Sequence, residues 1–280
     1  MKNEESELAG SGGIRLFSRS WRADDSRASV VIVHGVGEHS GRYAHVARRL
    51  VAAGCSVHAI DLRGHGRSQG RRAVVDRFAN AVEDIDRLVE RVRAESPGRP
   101  LYMLGHSMGG ALSLNYALEH GDKLSGLALS APAVALDGAP WIVRQSSKLL
   151  SLVAPNLGAV AVNAQWISRD RDVVSDYVAD PLNWHGRLPV RTVGELVTSA
   201  ERLPKRLASL DLPILLMHGT DDRLAGISGS RMVHAGVSST DKKLLEYKGL
   251  YHEIFNELPV DRKRVLDDLV VWIEARIAGD

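Results

Sequence analysis

The feature that most constrains the fold is a regular alternation of short apolar runs with longer amphipathic segments. Five runs rich in aliphatic residues are bounded by turn-forming residues, at 29–33, 56–60, 101–105, 125–130 and 213–219. Continuous apolar runs of this length are typical of strands that are covered on both faces. Because helix-like segments separate the runs, the sequence predicts an α/β fold whose mostly parallel central sheet has helices on both faces.

Two segments show the helical part of this pattern. Apolar residues recur every three or four positions over 76–95 and over 261–277, with charged residues between them, as in amphipathic helices. The run GIRLFSRSWRA, at 13–23, predicts an antiparallel hairpin at one edge of the sheet.

One long segment interrupts the alternation. Between about residues 134 and 207 the pattern becomes helical, apolar and aromatic, and the next strand-like run begins only at Pro213. A connection of that length without structure of its own is improbable in a compact domain. We therefore expect a core formed by residues 1–133 and 208–280, with residues 134–207 inserted as a helical lid.

Composition narrows the class of protein. The 36 Lys and Arg residues nearly balance the 34 Asp and Glu residues, which argues against a nucleic-acid partner. No apolar run is long enough to span a bilayer, and the acidic start MKNEESELAG lacks the features of a secretory signal. A cytoplasmic location is therefore expected. The single cysteine, Cys55, excludes an intrachain disulfide.

The strongest candidate for chemistry is Ser107. It lies in the string GHSMGG, at 105–110, between a strand-like run and the helix-like ALSLNYALEH. Glycines on both sides permit the sharp turn that lifts a serine hydroxyl above the sheet, which is the nucleophile elbow of the α/β-hydrolase fold. The start of the following helix offers unpaired N–H groups to an oxyanion, so the N–H of Met108 is assigned to this role.

A serine nucleophile needs a histidine base and a carboxylate that orients the base. In this fold both follow the serine, the acid first. His252 lies just beyond a strand-like run near the C-terminus. Asp221 and Asp222 both follow the run 213–219, and their spacing alone does not decide between them.

A second oxyanion donor is expected after the first central strand. The glycine-rich string HGVGEH occupies this place, at 34–39, and we assign the backbone N–H of Val36 to the oxyanion hole. The chemistry requires neither a metal nor an organic cofactor.

With these residues in place, the chain resembles the monoacylglycerol lipase family, the serine hydrolases that cleave single-acyl glycerides, and most of all its bacterial members, including the mycobacterial type. The matching strings extend from about residue 30 to the C-terminal region: HGVGEHSGRY, DLRGHGRS, GHSMGG, LSAPAV, SRD with YVADPL, HGTDDRL and YHEIFNE. In the family the aspartate directly before the arginine of HGTDDRL is the triad acid, which implies Asp222.

The resemblance also implies a substrate site. It places Glu38, Arg42, His106 and Tyr177 around the glycerol end of the substrate, although Glu38 and Arg42 can equally be explained as a pair that bind each other. It implies hydrolysis of monoacylglycerol to glycerol and a fatty acid, and the apolar lid predicts contact with a membrane or micelle surface.

Two alternative functions stay open. One is a broader carboxylesterase, thioesterase or lysophospholipase, because one triad serves many acyl compounds on this fold. The other is a non-catalytic receptor for a small molecule that keeps the pocket without turnover.

Overall fold

The computed structural model describes residues 2–135 and 150–277. The strands in these ranges, in chain order, are β1 (Lys2–Ala9), β2 (Arg15–Arg22), β3 (Ala28–Val33), β4 (Cys55–Ile60), β5 (Leu101–His106), β6 (Gly126–Ser130), β7 (Gly158–Ala161), β8 (Arg187–Pro189), β9 (Ile214–Gly219) and β10 (Lys242–Tyr247). The α-helices are α1 (Ala44–Ala52), α2 (Phe78–Glu95), α3 (Met108–His120), α4 (Arg171–Ala179), α5 (Val190–Arg202), α6 (Ile227–Gly236) and α7 (Pro259–Ile277).

One eight-stranded sheet organises the fold, in the order β1-β2-β4-β3-β5-β6-β9-β10. The strands from β4 to β10 in this order pair in parallel. Both β1 with β2 and β2 with β4 pair antiparallel. The five apolar runs become β3, β4, β5, β6 and β9, so the predicted mostly parallel sheet is confirmed.

The edge hairpin differs from the prediction. The run 13–23 supplies only β2, and its partner is β1, with Leu8 opposite Leu16. The prediction missed β1 because its residues are mostly polar and exposed. Polar side chains are common on edge strands, where they discourage pairing with other chains.

Alternation of side chains along the central strands gives the sheet two covered faces. In β3, Val31 and Val33 belong to one buried apolar cluster, which includes residues of α2, α3 and α6. Val30 and Ile32 belong to a second cluster, which includes residues of α1 and α7. Helices therefore cover both faces, as predicted.

The elements between β6 and β9 lie outside the eight-stranded sheet. They include α4, α5 and an antiparallel ribbon of β7 and β8, which the helical pattern of this segment did not predict. The first part of the predicted lid, 136–149, lies outside the described residues. None of the helices in the described ranges combines the length and apolar character needed to cross a membrane.

Candidate active site

Ser107 forms a strained turn between β5 and α3. Its backbone has φ 52° and ψ −119°, a conformation that is costly for a residue with a side chain. Its N–H donates to the carbonyl of Ser130 at 3.0 Å, and its carbonyl accepts from the amides of Ala111 at 3.1 Å and Ala133 at 3.0 Å. These bonds hold the serine in the elbow that the sequence predicts.

The flanking glycines are required by close packing. A Cβ at Gly109 would overlap the carbonyl oxygens of Val33 and His34, and one at Gly105 would overlap the hydroxyl of Ser113. The elbow therefore sits directly against the end of β3, which brings the string 34–39 beside the serine.

His252 is bound to Asp222. The Nδ1 atom of His252 lies 2.7 Å from Oδ2 of Asp222. An ionised carboxylate only accepts hydrogen bonds, so Nδ1 carries the proton and Nε2 is left as an acceptor. Asp221, the other candidate acid, is exposed and accepts from the hydroxyl of Thr220. The structure thus joins the histidine to the aspartate that the resemblance implied.

The carboxylate of Asp222 is fully buried and accepts from four groups. Its Oδ1 accepts from the amides of Leu224 at 2.7 Å and Ala225 at 3.0 Å, and its Oδ2 accepts from His218 Nε2 at 3.1 Å as well as from His252. Burial alone would raise the pKa of this carboxyl. The charge of His252 and these hydrogen bonds outweigh burial, and they hold the pKa of Asp222 well below its usual range.

Two histidine rings with different electrostatics lie side by side. The rings of His106 and His252 are 4.7 Å apart. Burial would lower the pKa of His252, but the charge and hydrogen bond of Asp222 raise it above its ordinary value. Burial and the neighbouring His252 lower the pKa of His106 to about 4. At neutral pH His106 is therefore uncharged, and His252 is the ring poised to gain a proton.

His34 holds the peptide between Gly35 and Val36, in the loop after β3. His34 Nδ1 donates to the carbonyl of Gly35 at 2.8 Å, and His34 Nε2 accepts from the N–H of Leu62 at 2.9 Å. The N–H of Val36 belongs to the same planar peptide as this carbonyl and points the opposite way. Met108 is the first residue of α3, where an N–H has no acceptor within the helix.

A cavity of about 170 Å³ brings most of the predicted residues together. Ser107 and His252 line it with both predicted oxyanion donors, and so do Glu38, His106 and Tyr177. Asp222 lies behind His252. Arg42 is the exception, because it lines a separate cleft of about 570 Å³ that shares Tyr177 as a wall.

The rest of the cavity wall is apolar. The insertion and the loop after Asp222 supply these side chains: Val160, Ala161, Val162, Ile167, Leu188, Leu196 and Leu224. The cavity thus has a polar end at the sheet and an apolar end under the insertion.

Sequence reasoning missed two residues of the site. Glu253 lines the cavity and binds Arg42, which also binds Glu38; the pair of Glu38 and Arg42 considered from the sequence is present. His218, four residues before Asp222, supports that carboxylate. One sequence feature could have indicated Glu253, because it is a charged residue next to the candidate base in the otherwise largely apolar string YHEIF.

Among residues 2–135 and 150–277, no group of three or more His, Cys, Asp and Glu side chains is arranged to hold a metal ion.

Comparisons with known proteins identify the family of the chain. Residues 24–259 match the family described as serine aminopeptidase, S33. The chain is 42% identical to a monoacylglycerol lipase of Mycolicibacterium smegmatis over 275 residues, which cover 98% of both chains. It is 35% identical to the monoglyceride lipase of Homo sapiens, over 97% of this chain and 90% of that protein.

A solved structure gives the same result for the fold. The crystal structure of Paleococcus ferrophilus monoacylglycerol lipase superposes with a TM-score of 0.85 and 32% sequence identity. The match covers 93% of this chain and 99% of that chain.

Proposed function

The chain belongs to the monoacylglycerol lipase family of serine α/β-hydrolases, and we propose that it hydrolyses monoacylglycerols to glycerol and a fatty acid through an acyl-enzyme on Ser107. The observation that carries the proposal is the cavity that Ser107 and His252 line, polar at one end and apolar at the other. A monoacylglycerol has the same division, with a diol at one end and an acyl chain at the other.

The first half of the reaction forms the acyl-enzyme. The Oγ atom of Ser107 attacks the ester carbonyl carbon, and Nε2 of His252 takes the hydroxyl proton. The amides of Val36 and Met108 donate to the oxyanion, a contribution of about 2.7–4 kcal/mol for each donor in comparable sites. The imidazolium, stabilised by Asp222, then gives its proton to the departing glycerol oxygen.

The second half releases the fatty acid. His252 removes a proton from water, the resulting hydroxide attacks the acyl carbonyl, and the same amides hold the second oxyanion. Collapse of this intermediate returns the proton to Ser107 Oγ and frees the carboxylic acid. All atoms come from the ester and one water molecule.

The polar end supports a neutral alcohol as the leaving group. We propose that Glu38, His106 and Tyr177 surround the glycerol end in the cavity, and that Arg42, which lines the neighbouring cleft, contributes there by binding Glu38. Carboxylate oxygens accept hydrogen bonds from hydroxyl groups. Glu38 and Glu253 line the cavity, and the guanidinium of Arg42 binds both of these carboxylates without lining the cavity itself. A phosphate-bearing headgroup would meet like charge here, which disfavours lysophospholipids.

The inserted segment 134–207 is proposed as a lid that shields the acyl chain from water. Burial of the chain contributes about 0.8 kcal/mol per methylene. Leu152, Val153 and Leu157 of this segment are 70%, 73% and 53% exposed, and we propose that this patch contacts a membrane or micelle surface. A cytoplasmic location and the domain limits at 134 and 207 stay predictions.

A substrate panel with a serine variant tests the function. Purified native protein is assayed with monoolein, diolein, triolein, a short p-nitrophenyl ester and a lysophospholipid. Monoolein should give the highest kcat/KM, and Ser107→Ala should lower its turnover by about 10⁴-fold or more. Ser113→Ala is the matched control, because Ser113 is buried on α3 and its hydroxyl has no hydrogen-bond partner among residues 2–135 and 150–277.

Each alternative function predicts a different pattern of activities across these five substrates. Equal or faster turnover of the lysophospholipid or the short ester would favour a broader esterase. Turnover of none of the five compounds by folded native protein would favour a receptor. Unchanged monoolein turnover by Ser107→Ala would contradict the mechanism.

A further inference from the structure

One guanidinium links the two loops that carry the proposed base and an oxyanion donor. Arg42 Nη1 donates to Glu38 Oε2 at 2.9 Å and to Glu253 Oε1 at 2.6 Å, and Arg42 Nη2 donates to Glu253 Oε2 at 2.7 Å. The three side chains are only 10%, 5% and 6% exposed. Charge-assisted hydrogen bonds in such surroundings are strong and geometrically specific. The three residues therefore form a fixed linkage rather than a surface ion pair.

At one end, the linkage reaches the oxyanion loop. Glu38 Oε1 accepts from the N–H of Gly35 at 2.6 Å and from the hydroxyl of Tyr43 at 2.7 Å. Gly35 precedes Val36, so the direction of the Val36 N–H depends on where the carboxylate of Glu38 is held.

At the other end, the linkage reaches the base. Glu253 directly follows His252, and its Oε2 also accepts from Asn256 Nδ2 at 2.8 Å. Its backbone N–H donates to the carbonyl of Ile167 at 2.7 Å. A displacement of Glu253 would therefore move the backbone that carries the imidazole.

The linkage also sets the charge near the base. Two carboxylates share one guanidinium, which leaves an excess of one negative charge when both are ionised. Burial would raise the pKa of Glu253, but Arg42 lowers it to about 2, so this residue is ionised. Among the residues that the structure describes, the titratable groups around His252 are Asp222 from the loop after β9, His106 from β5, Glu38 from the segment between β3 and α1, Tyr177 from α4, and Glu253 beside it, with Arg42 stacked over Tyr177.

We propose that Arg42 and Glu253 are positioning residues for the reaction. They hold His252 and the Val36 N–H in the relative placement that the transition state needs, and they keep negative charge beside the imidazolium as it forms. This inference rests on the proposed function only in that Ser107 is the nucleophile and His252 the base.

Glu253→Gln tests the proposal, because it keeps the shape of the side chain and removes its charge. We expect kcat to fall by about tenfold with KM little changed, since the oxyanion contacts act in the transition state. Loss of a nearby negative charge lowers the pKa of His252. Because the base works in its neutral form, the acidic limb of the kcat/KM profile should move to lower pH.

Glu257→Gln is the matched control. Glu257 is buried in the same loop, accepts from the N–H of Tyr251 at 2.8 Å and binds Arg169 at 2.9 Å, but it does not line the cavity. Its loss should lower Tm while the acidic limb stays at the native pH. A carboxylate whose role is only structural is expected to behave in this way.

Arg42→Lys is a second variant, which covers the case in which Glu253→Gln does not fold. Lysine keeps the charge and loses the forked geometry. Its kcat should fall while its acidic limb stays close to the native position. A folded Arg42→Lys protein with native kcat would overturn the proposal.

The rate of Ser107 labelling by a fluorophosphonate, measured against pH, gives a readout that needs no particular substrate. A slower rate with a shifted acidic limb in Glu253→Gln supports the proposal. A native rate, or a slower rate with an unmoved limb, overturns it. Absence of labelling in the native protein would overturn the proposed function together with this inference.

Discussion

The two ends of the cavity are built in different ways. At the polar end, Glu38, His106, Ser107 and His252 follow or end core strands, and each has a defined partner or backbone geometry. At the apolar end, side chains such as Leu188 come from the insertion and are held by contact alone. Hydrogen bonds at the first end depend on direction, whereas apolar burial at the second depends mainly on area.

This difference implies that the polar end determines the rate of the chemical step and that the apolar end determines which acyl chain binds. Small displacements at the polar end should change the rate of the chemical step. Changes at the apolar end should alter how strongly a given acyl chain binds. The predictions below test this division of roles. A change at the apolar end that slows the chemical step, or a change at the polar end that alters acyl-chain preference, would contradict it.

The largest effect is expected at the polar end, from Asp222→Asn. An asparagine can donate to Nδ1 of His252 and so favour the tautomer that cannot accept the serine proton. We expect kcat for monoolein to fall by about 10⁴-fold with KM little changed. Asp221→Asn is the matched control, because the neighbouring aspartate is exposed. Steady-state kinetics that gave both variants similar rates would exclude Asp222 as the triad acid.

An intermediate effect is expected at the apolar end, from Leu188→Ala. We expect KM for monoolein to rise roughly tenfold, corresponding to about 1.4 kcal/mol of lost contact. The kinetics of a short acetyl ester should not change. Leu203→Ala removes another buried leucine, which does not line the cavity, and it should lower Tm without this dependence on chain length. A large fall in kcat for both esters in Leu188→Ala would contradict the assignment of acyl-chain binding alone to the apolar end.

The smallest effect is expected outside the cavity, on the exposed patch of the insertion. Leu152→Asp combined with Val153→Asp should reduce partitioning onto phospholipid vesicles several-fold, because charged residues disfavour the apolar interface. Turnover of a water-soluble ester should stay at the native value. Val271→Asp, at an exposed position of α7, is the control. Sedimentation with vesicles measures the difference, and equal partitioning of all three proteins would reject membrane contact through this patch.

The sequence predicted the core of the fold because buried parallel strands read as continuous apolar runs. It missed β1, whose residues are mostly polar, and the ribbon of β7 and β8. Val160 in that ribbon is 52% exposed, so the ribbon has no strong apolar alternation to reveal it. Short exposed strands lack the signal that burial imposes on a sequence.

The residues of the candidate site could likewise be predicted only where their neighbours in the sequence indicate their role. Ser107 was found from its glycines, and His252 from its place after a strand. Spacing did not separate Asp221 from Asp222, because which of two neighbours faces a histidine depends on the turn of the loop. The role of Glu253 depends on its contact with Arg42, which is far away in sequence. The role of His218 depends on how the loop turns between it and Asp222. No local pattern reports either contact.

The central claim is that Ser107 is a nucleophile activated by His252. The most direct measurement is mass spectrometry of the native protein after treatment with a fluorophosphonate, followed by peptide mapping. The account predicts one adduct per chain, on the peptide that contains Ser107, with labelling abolished in Ser107→Ala and strongly slowed in His252→Ala. An unmodified native protein, or an adduct on another serine, would contradict it.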